Sequence, residues 1–423
     1  MQPTTHNPLD HIDPDDIAGE WTARHLDRMT DAELLSAACQ LLSIPRNEAA
    51  NSFTLHAPLE LMARAELLRS VSAHRRESAR QRIVHIAATW STTGSPTEKV
   101  DGTAHDDPPL HALTEALRHG DPETADRAFV SLCATRDQDH IVDDLVDVVL
   151  PCLGGAAHGA IFLELLPRFR PVGTTPALMA RTLIGEIARN PASRLRWFDQ
   201  PRPRATKDAS LTDRLVSPTA DSEPSSHFVQ PTMALVDDSG LAYRTLADVT
   251  HGLSIAEARR QLLPVAAMSM LQDEPINAPY GWTHCLTLPQ ATLAVAHRAS
   301  DAQRAVDVAA TYVLGYRATQ SSGRIDPSWE PDRPRRFVDE VTHVDPSVAA
   351  ATAWHAEPGR RADITQQLID HAAPHHDAHL AKYTLACIDA ATQDPWNARL
   401  YLAAAAYLAA WWHQHDHTTG AAT

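Results

Sequence analysis

Apolar residues in this chain recur at helical spacing wherever they recur at all. No run alternates apolar and polar residues over the roughly four to eight positions that a half-buried strand needs. A chain patterned this way buries stripes of helix against one another, so the spacing predicts an all-α fold. Segment lengths vary and no fixed period holds, which argues against a regular solenoid. The expected architecture is an irregular multi-helix array with a buried central site. The 30 prolines concentrate in connections and at helix starts, where a missing N–H costs least.

Taken in order, residues 1–50 read as an N-terminal arm, loose to about residue 20, and a first helix over 31–42 capped by Thr30 or Asp31. Residues 51–197 form a first helical half. There His56 stands just before a long helix with Pro58 in its first turn, and His158 opens another after Gly154-Gly155. A polar loop is expected over 91–109. Residues 198–232, rich in Pro, Ser and charge, read as a linker or excursion, and 233–412 as a second helical half. Helices are expected at 337–343, 347–354, 363–371, 377–392 and 395–412, with 413–423 a polar tail. The whole reads as one compact unit.

A net charge of −16 with no basic run argues against a nucleic-acid surface. Five scattered cysteines without a CxxC spacing indicate neither a zinc knuckle nor a disulfide framework, and fit a reducing compartment. The polar, acidic N-terminal stretch is not a signal peptide, and no apolar run is long enough for a membrane span. A cytoplasmic protein is expected.

The chemistry concentrates in residues 371–389, HAAPHHDAHLAKYTLACID. His371, His375, His376 and His379 run into an apolar helix that contains Lys382. The chain has three lysines; Lys99 and Lys207 lie in polar segments, whereas Lys382 sits among Leu380, Tyr383, Leu385 and Cys387. Burial favours the neutral amine, which can act as a base, form a Schiff base, or take up carbon dioxide to give a carbamate. His379 and Lys382 share a helix face, and Asp389 falls near it. The plainer alternative is a lysine whose stem packs on apolar neighbours while its tip reaches water. His56, His158 and His284 each stand at or near a helix start after a turn. Single ligands from several helices are how a helical core builds a metal site, and imidazole suits iron, copper, zinc and nickel. Four imidazoles and one anionic oxygen would leave a position open. Each histidine taken singly is more often a cap or core residue than a ligand.

Weaker patterns remain. Glu340-Val-Thr-His343 is a single ExxH, and a di-iron bundle needs two. GGAAHG at 154–159 follows no strand and is not a dinucleotide loop. His413, His415 and His417 read as a solvated tail that catches metal only adventitiously. Tyr280, Trp282 and Trp354 are candidates for an aromatic pocket, or plain core.

The blocks FTLHAPLELMARAELL, GGAAHGAIFLELL, GWTHCLTLPQATLAVA and HDAHLAKYTLACIDAA together resemble the questin oxidase family. Its members are helical enzymes that oxidise or ring-open aromatic polyketides. The resemblance extends over about 52–412 in short blocks. It implies a mononuclear non-haem iron(II), or another divalent metal, held by His56, His158, His284 and His379, with Lys382 as a carboxylated lysine. His375 and His376 stay open as alternatives for the last imidazole. The implied function is an oxygenase of secondary metabolism, either a monooxygenase or a dioxygenase, acting with dioxygen on an aromatic substrate beside Tyr280 and Trp282. No fingerprint for a reduced nicotinamide is visible, and its use stays open. The competing expectations are a non-catalytic helical protein that binds a ligand or partner, and a zinc-dependent hydrolase or lyase.

Overall fold

The computed structural model describes residues 7–97, 107–205 and 210–419, the side chains of 417–419 excepted. Parts of several expected features lie outside the described residues. They are the first six residues of the arm, 98–106 of the polar loop with Lys99, 206–209 with Lys207, and the tail from 420 together with the His417 side chain. The described residues form 19 α-helices joined by turns and 3-10 segments. Their one strand pairing is two residues long, Arg46–Asn47 against Ser95–Pro96. No described helix is long and apolar enough to cross a membrane. The chain divides into two units, Met1–Ser193 with Ala373–Ala378, and Arg194–Ala372 with His379–Thr423.

In the first unit, local sequence sets the helix ends. Thr30 and Glu33 form a capping box on Asp31–Leu42, and Asn51 and Thr54 do the same on Ser52–Leu68. Gly120, at φ 78°, closes Pro109–His119 in the left-handed conformation that glycine adopts most cheaply. Asp121 then caps Pro122–Thr135, whose first residue is proline. Trp90, Phe129 and Ile83 are fully or almost fully buried, each contributing roughly 1.5–3 kcal/mol by leaving water.

Two expectations for this unit are corrected. The arm is not loose from residue 7 onward. Leu9 and Ile12 are buried, the Asn7 amide donates to the Ala37 carbonyl at 2.9 Å, and helix Ile17–Ala23 follows. Two apolar anchors in a polar stretch were enough to dock it. Pro58 does not lie in a first turn, since its helix begins at Ser52 and the proline is interior. The Asn51 cap nucleates the helix a turn earlier, and Pro58 then removes one interior hydrogen bond.

In the second unit, helix Ala398–Thr419 packs along Pro346–Trp354 and Ile255–Gln272. Ala403–Ala406 on the first and Ala349, Ala350 and Ala353 on the second are buried. Small side chains on both surfaces let the backbones approach closely. Residues 198–205 and 210–232 belong to this unit. Leu211 and Leu215 are buried, and the buried Arg317 holds the chain there by donating to the Val216 carbonyl at 2.9 Å while pairing with Asp273. The helix expected over 337–343 is only a 3-10 turn, Val341–His343, because the prolines and charges before it offer no continuous apolar face. The segment 413–419, expected as a tail, continues helix Ala398–Thr419.

Candidate functional site

His56 and His158 meet inside the first unit. His56 is the fifth residue of Ser52–Leu68, and Ser52 Oγ, one turn earlier on the same face, lies 3.1 Å from its Nδ1. His158 stands at the N-cap position of Gly159–Leu165, after a tight turn in which Gly155, Ala156 and Ala157 all have positive φ. The glycines of GGAAHG serve packing. A Cβ on Gly154 would stand 2.8 Å from the Ile187 Cα, and one on Gly159 would stand 2.1 Å from Val149 Cγ1. His158 is 1% exposed. The two rings stand 4.6 Å apart, edge to face.

The second unit holds a second pair and the lysine. Helix Thr283–Val295 is entered through a π-helical turn, Ala278–Trp282, a form that recurs at functional sites. His284 is buried, and its Nδ1 donates to the Tyr280 carbonyl at 2.6 Å. A ring nitrogen facing a carbonyl oxygen must carry the proton, so Nε2 keeps the lone pair. His379, the second residue of Ala378–Gln393, stands 4.9 Å from the His284 ring and 5.0 Å from the Tyr280 ring. Burial, then the Lys382 and His284 charges, hold its pKa well below the usual imidazole value, which keeps the ring neutral and able to ligate. Lys382, one turn on, is 5% exposed, and its Nζ presents less than 1 Å² to solvent. The arrangement with the stem packed and the tip in water is therefore not adopted.

The ring spacings carry chemical meaning. With a metal–nitrogen bond of about 2.0–2.1 Å, two imidazoles at neighbouring positions of one ion have ring centres roughly 4.5–5.3 Å apart. Both pairs fall in that interval. The Tyr280 carbonyl on His284 is the kind of outer partner that fixes the tautomer of a ligating histidine, whereas the Ser52 hydroxyl, which can donate or accept, only orients the His56 ring.

Of the three candidates for the last imidazole, His379 is the one packed on His284. His375 lies in the Ala373–Ala378 segment of the first unit. Its Nδ1 accepts the Asp377 N–H at 3.0 Å, it stacks on the exposed His376, and burial pushes its pKa down to about 3. His371 lies instead near His343. Tyr280 is 54% exposed, with its ring against His379 and Trp412. Trp282 is fully buried beneath the Arg317 guanidinium, 5.9 Å from its ring. Trp354 is buried against Trp329 and Arg399. Asp389 is half-buried.

Two neighbours escaped the sequence reading. Tyr316 stacks on His284 at 6.4 Å and 14°, a contact between helices with no sequence signal. Ser52 was legible in principle, four residues before His56. Comparison with family models, curated proteins and solved structures gave no match.

Proposed function

We propose that this chain is a metal-dependent oxygenase that uses dioxygen to oxidise or open an aromatic ring system. The reading is supported above all by one observation in the second unit. Two buried imidazoles stand at the spacing of neighbouring ligands, beside a lysine amine withdrawn from water. The donor set fits iron(II), as imidazole nitrogen does for several divalent metals. His284 and His379 would hold the metal, with Lys382 as an oxygen ligand after its amine adds to carbon dioxide and releases a proton. His56 and His158 form a second imidazole pair of the same kind. When bound, the metal supplies the redox chemistry that couples dioxygen to the substrate. The protein's own part is to hold the His284 tautomer, keep Lys382 dry, and present the half-exposed Tyr280 ring as a stacking face for a flat aromatic substrate.

Metal analysis and oxygen uptake test the reading. Protein purified with iron(II) and bicarbonate should carry about one iron per chain and consume oxygen with hydroxylated anthraquinones. The same assay run with and without a reduced nicotinamide shows whether that reductant is needed. Iron lost from His56→Ala as well as His284→Ala would assign both pairs to one ligand set. Zinc-loaded protein that is inert to oxygen but cleaves an ester or lactone would replace the proposal with a hydrolase. Metal-free protein that binds a quinone and turns nothing over would leave a binding protein.

A further inference from the structure

The Glu340-Val-Thr-His343 segment and a histidine of the last helix come together within the second unit. His343 ends the turn Val341–His343, His371 lies in the last turn of Pro358–Ala372, and His413 projects from Ala398–Thr419. The His343 ring stands 4.2 Å from that of His413 and 6.4 Å from that of His371, edge-on to both. Glu340 Oε1 lies 2.6 Å from His343 Nδ1, and Thr342 Oγ1 lies 3.4 Å from the same nitrogen. Carboxylate on Nδ1 leaves Nε2 as the ligating nitrogen, the arrangement that orients and strengthens zinc-bound histidines.

We propose that His343, His371 and His413 form a second metal site, one that takes a zinc-class divalent cation, with Glu340 holding His343 in the ligating tautomer. The His343–His413 separation lies just below the roughly 4.5–5.3 Å expected for imidazoles on one ion, and the His343–His371 separation lies more than 1 Å above it. The three do not form a cluster with all ligand atoms within 4.8 Å of one another, so binding turns a ring inward. The His343 side chain is 39% exposed, which gives it room to turn and gives the ion a way in. A bound ion fastens the C-terminal part of the long last helix to the end of Pro358–Ala372. The rest of the histidine-rich end is not needed. His415 stacks on Trp411 and its Nδ1 donates to the Trp411 carbonyl at 2.7 Å.

Equilibrium dialysis against Zn²⁺ tests the site, counting zinc on the full chain. Wild-type protein should bind one equivalent more than His343→Ala or His413→Ala. Glu340→Gln should weaken that equivalent about 10–100-fold. The double variant His415→Ala, His417→Ala should bind as wild type does. Circular dichroism and melting of the metal-free variants report folding, and Glu340→Gln decides the matter should a histidine variant fail to fold. Equal zinc uptake and affinity in wild type, His343→Ala and Glu340→Gln would overturn the proposal. So would loss confined to the His415, His417 variant, which would mean an adventitious tail. The count does not depend on iron at His284 and His379, so either reading can fail alone.

Discussion

Arg64 donates to the carbonyl of His375 at 2.6 Å, across 311 positions of sequence. It also reaches the carbonyls of Ala373 and Asp377, and Arg82 takes that of His376 at 2.7 Å. Two arginines thus hold four carbonyls of the turn before helix Ala378–Gln393. Glu60 lies between them, paired with both. Arg64 is 1% and Glu60 2% exposed, so the charges balance one another in a place where neither would be tolerated alone.

Removing one member of this trio should therefore cost far more than a surface substitution. Arg64→Met leaves Glu60 half-compensated and strips three carbonyls of a donor. We expect a loss of about 3–5 kcal/mol, read as a lower urea midpoint. Glu60→Gln should destabilise by a similar order, because two guanidiniums then face each other. A loss below about 1 kcal/mol for both would mean that the turn is held by something else.

Stability should fall as the pH drops below about 6.5. His375 is pushed down to about 3 by burial, and His379 also lies well below its ordinary value. For a group whose folded pKa is depressed, the unfolded chain binds the extra proton first. Stability is then full above the unfolded value and declines as pH falls towards the folded one. Glu60 adds to this at lower pH. Burial raises its pKa, but Arg64 and Arg82 more than offset that and leave it below the usual carboxylate value. Its contribution is present above about 4.5 and lost below. Urea midpoints of metal-free protein from pH 8 to 4 check the sign, and a flat profile between 7 and 5 would contradict it.

Lys382→Met keeps an unbranched stem among apolar neighbours and removes the amine. The change in folding stability should stay under about 1.5 kcal/mol, whereas bound iron should fall by about tenfold or more. Bicarbonate should not restore it. Iron retained in full by this variant, measured by elemental analysis, would remove the lysine from the ligand set.

Tyr316→Phe should leave stability unchanged or raise it slightly. The hydroxyl is buried and has no hydrogen-bond partner among the described residues, so deleting it removes a desolvated polar group of about 1–3 kcal/mol. Its ring lies nearly parallel to that of His284, with centres 6.4 Å apart. A stable variant that nevertheless turns over substrate more slowly would assign the hydroxyl a contact with substrate or dioxygen.

Much of the helical layout was legible from short-range chemistry. Caps such as Thr30 with Glu33 and Ser254 with Glu257 are hydrogen bonds made within one turn. The spacing of apolar residues records which face of a helix is buried, and an amine at position 382 among leucines and alanines already stood out. The sequence is silent on which buried faces meet, because that depends on side chains hundreds of positions apart filling the same space. Nothing local distinguished His379 from His375, yet one packs on His284 while the other belongs to the turn that Arg64 and Arg82 hold. Nor did anything local link Glu340-Val-Thr-His343 to the histidines of the last helix. The sequence by itself determined the helices and the kinds of ligand they offer. Tertiary packing alone decided which imidazoles stand close enough to share an ion, since that distance is set by helix-to-helix contacts that no window of sequence contains.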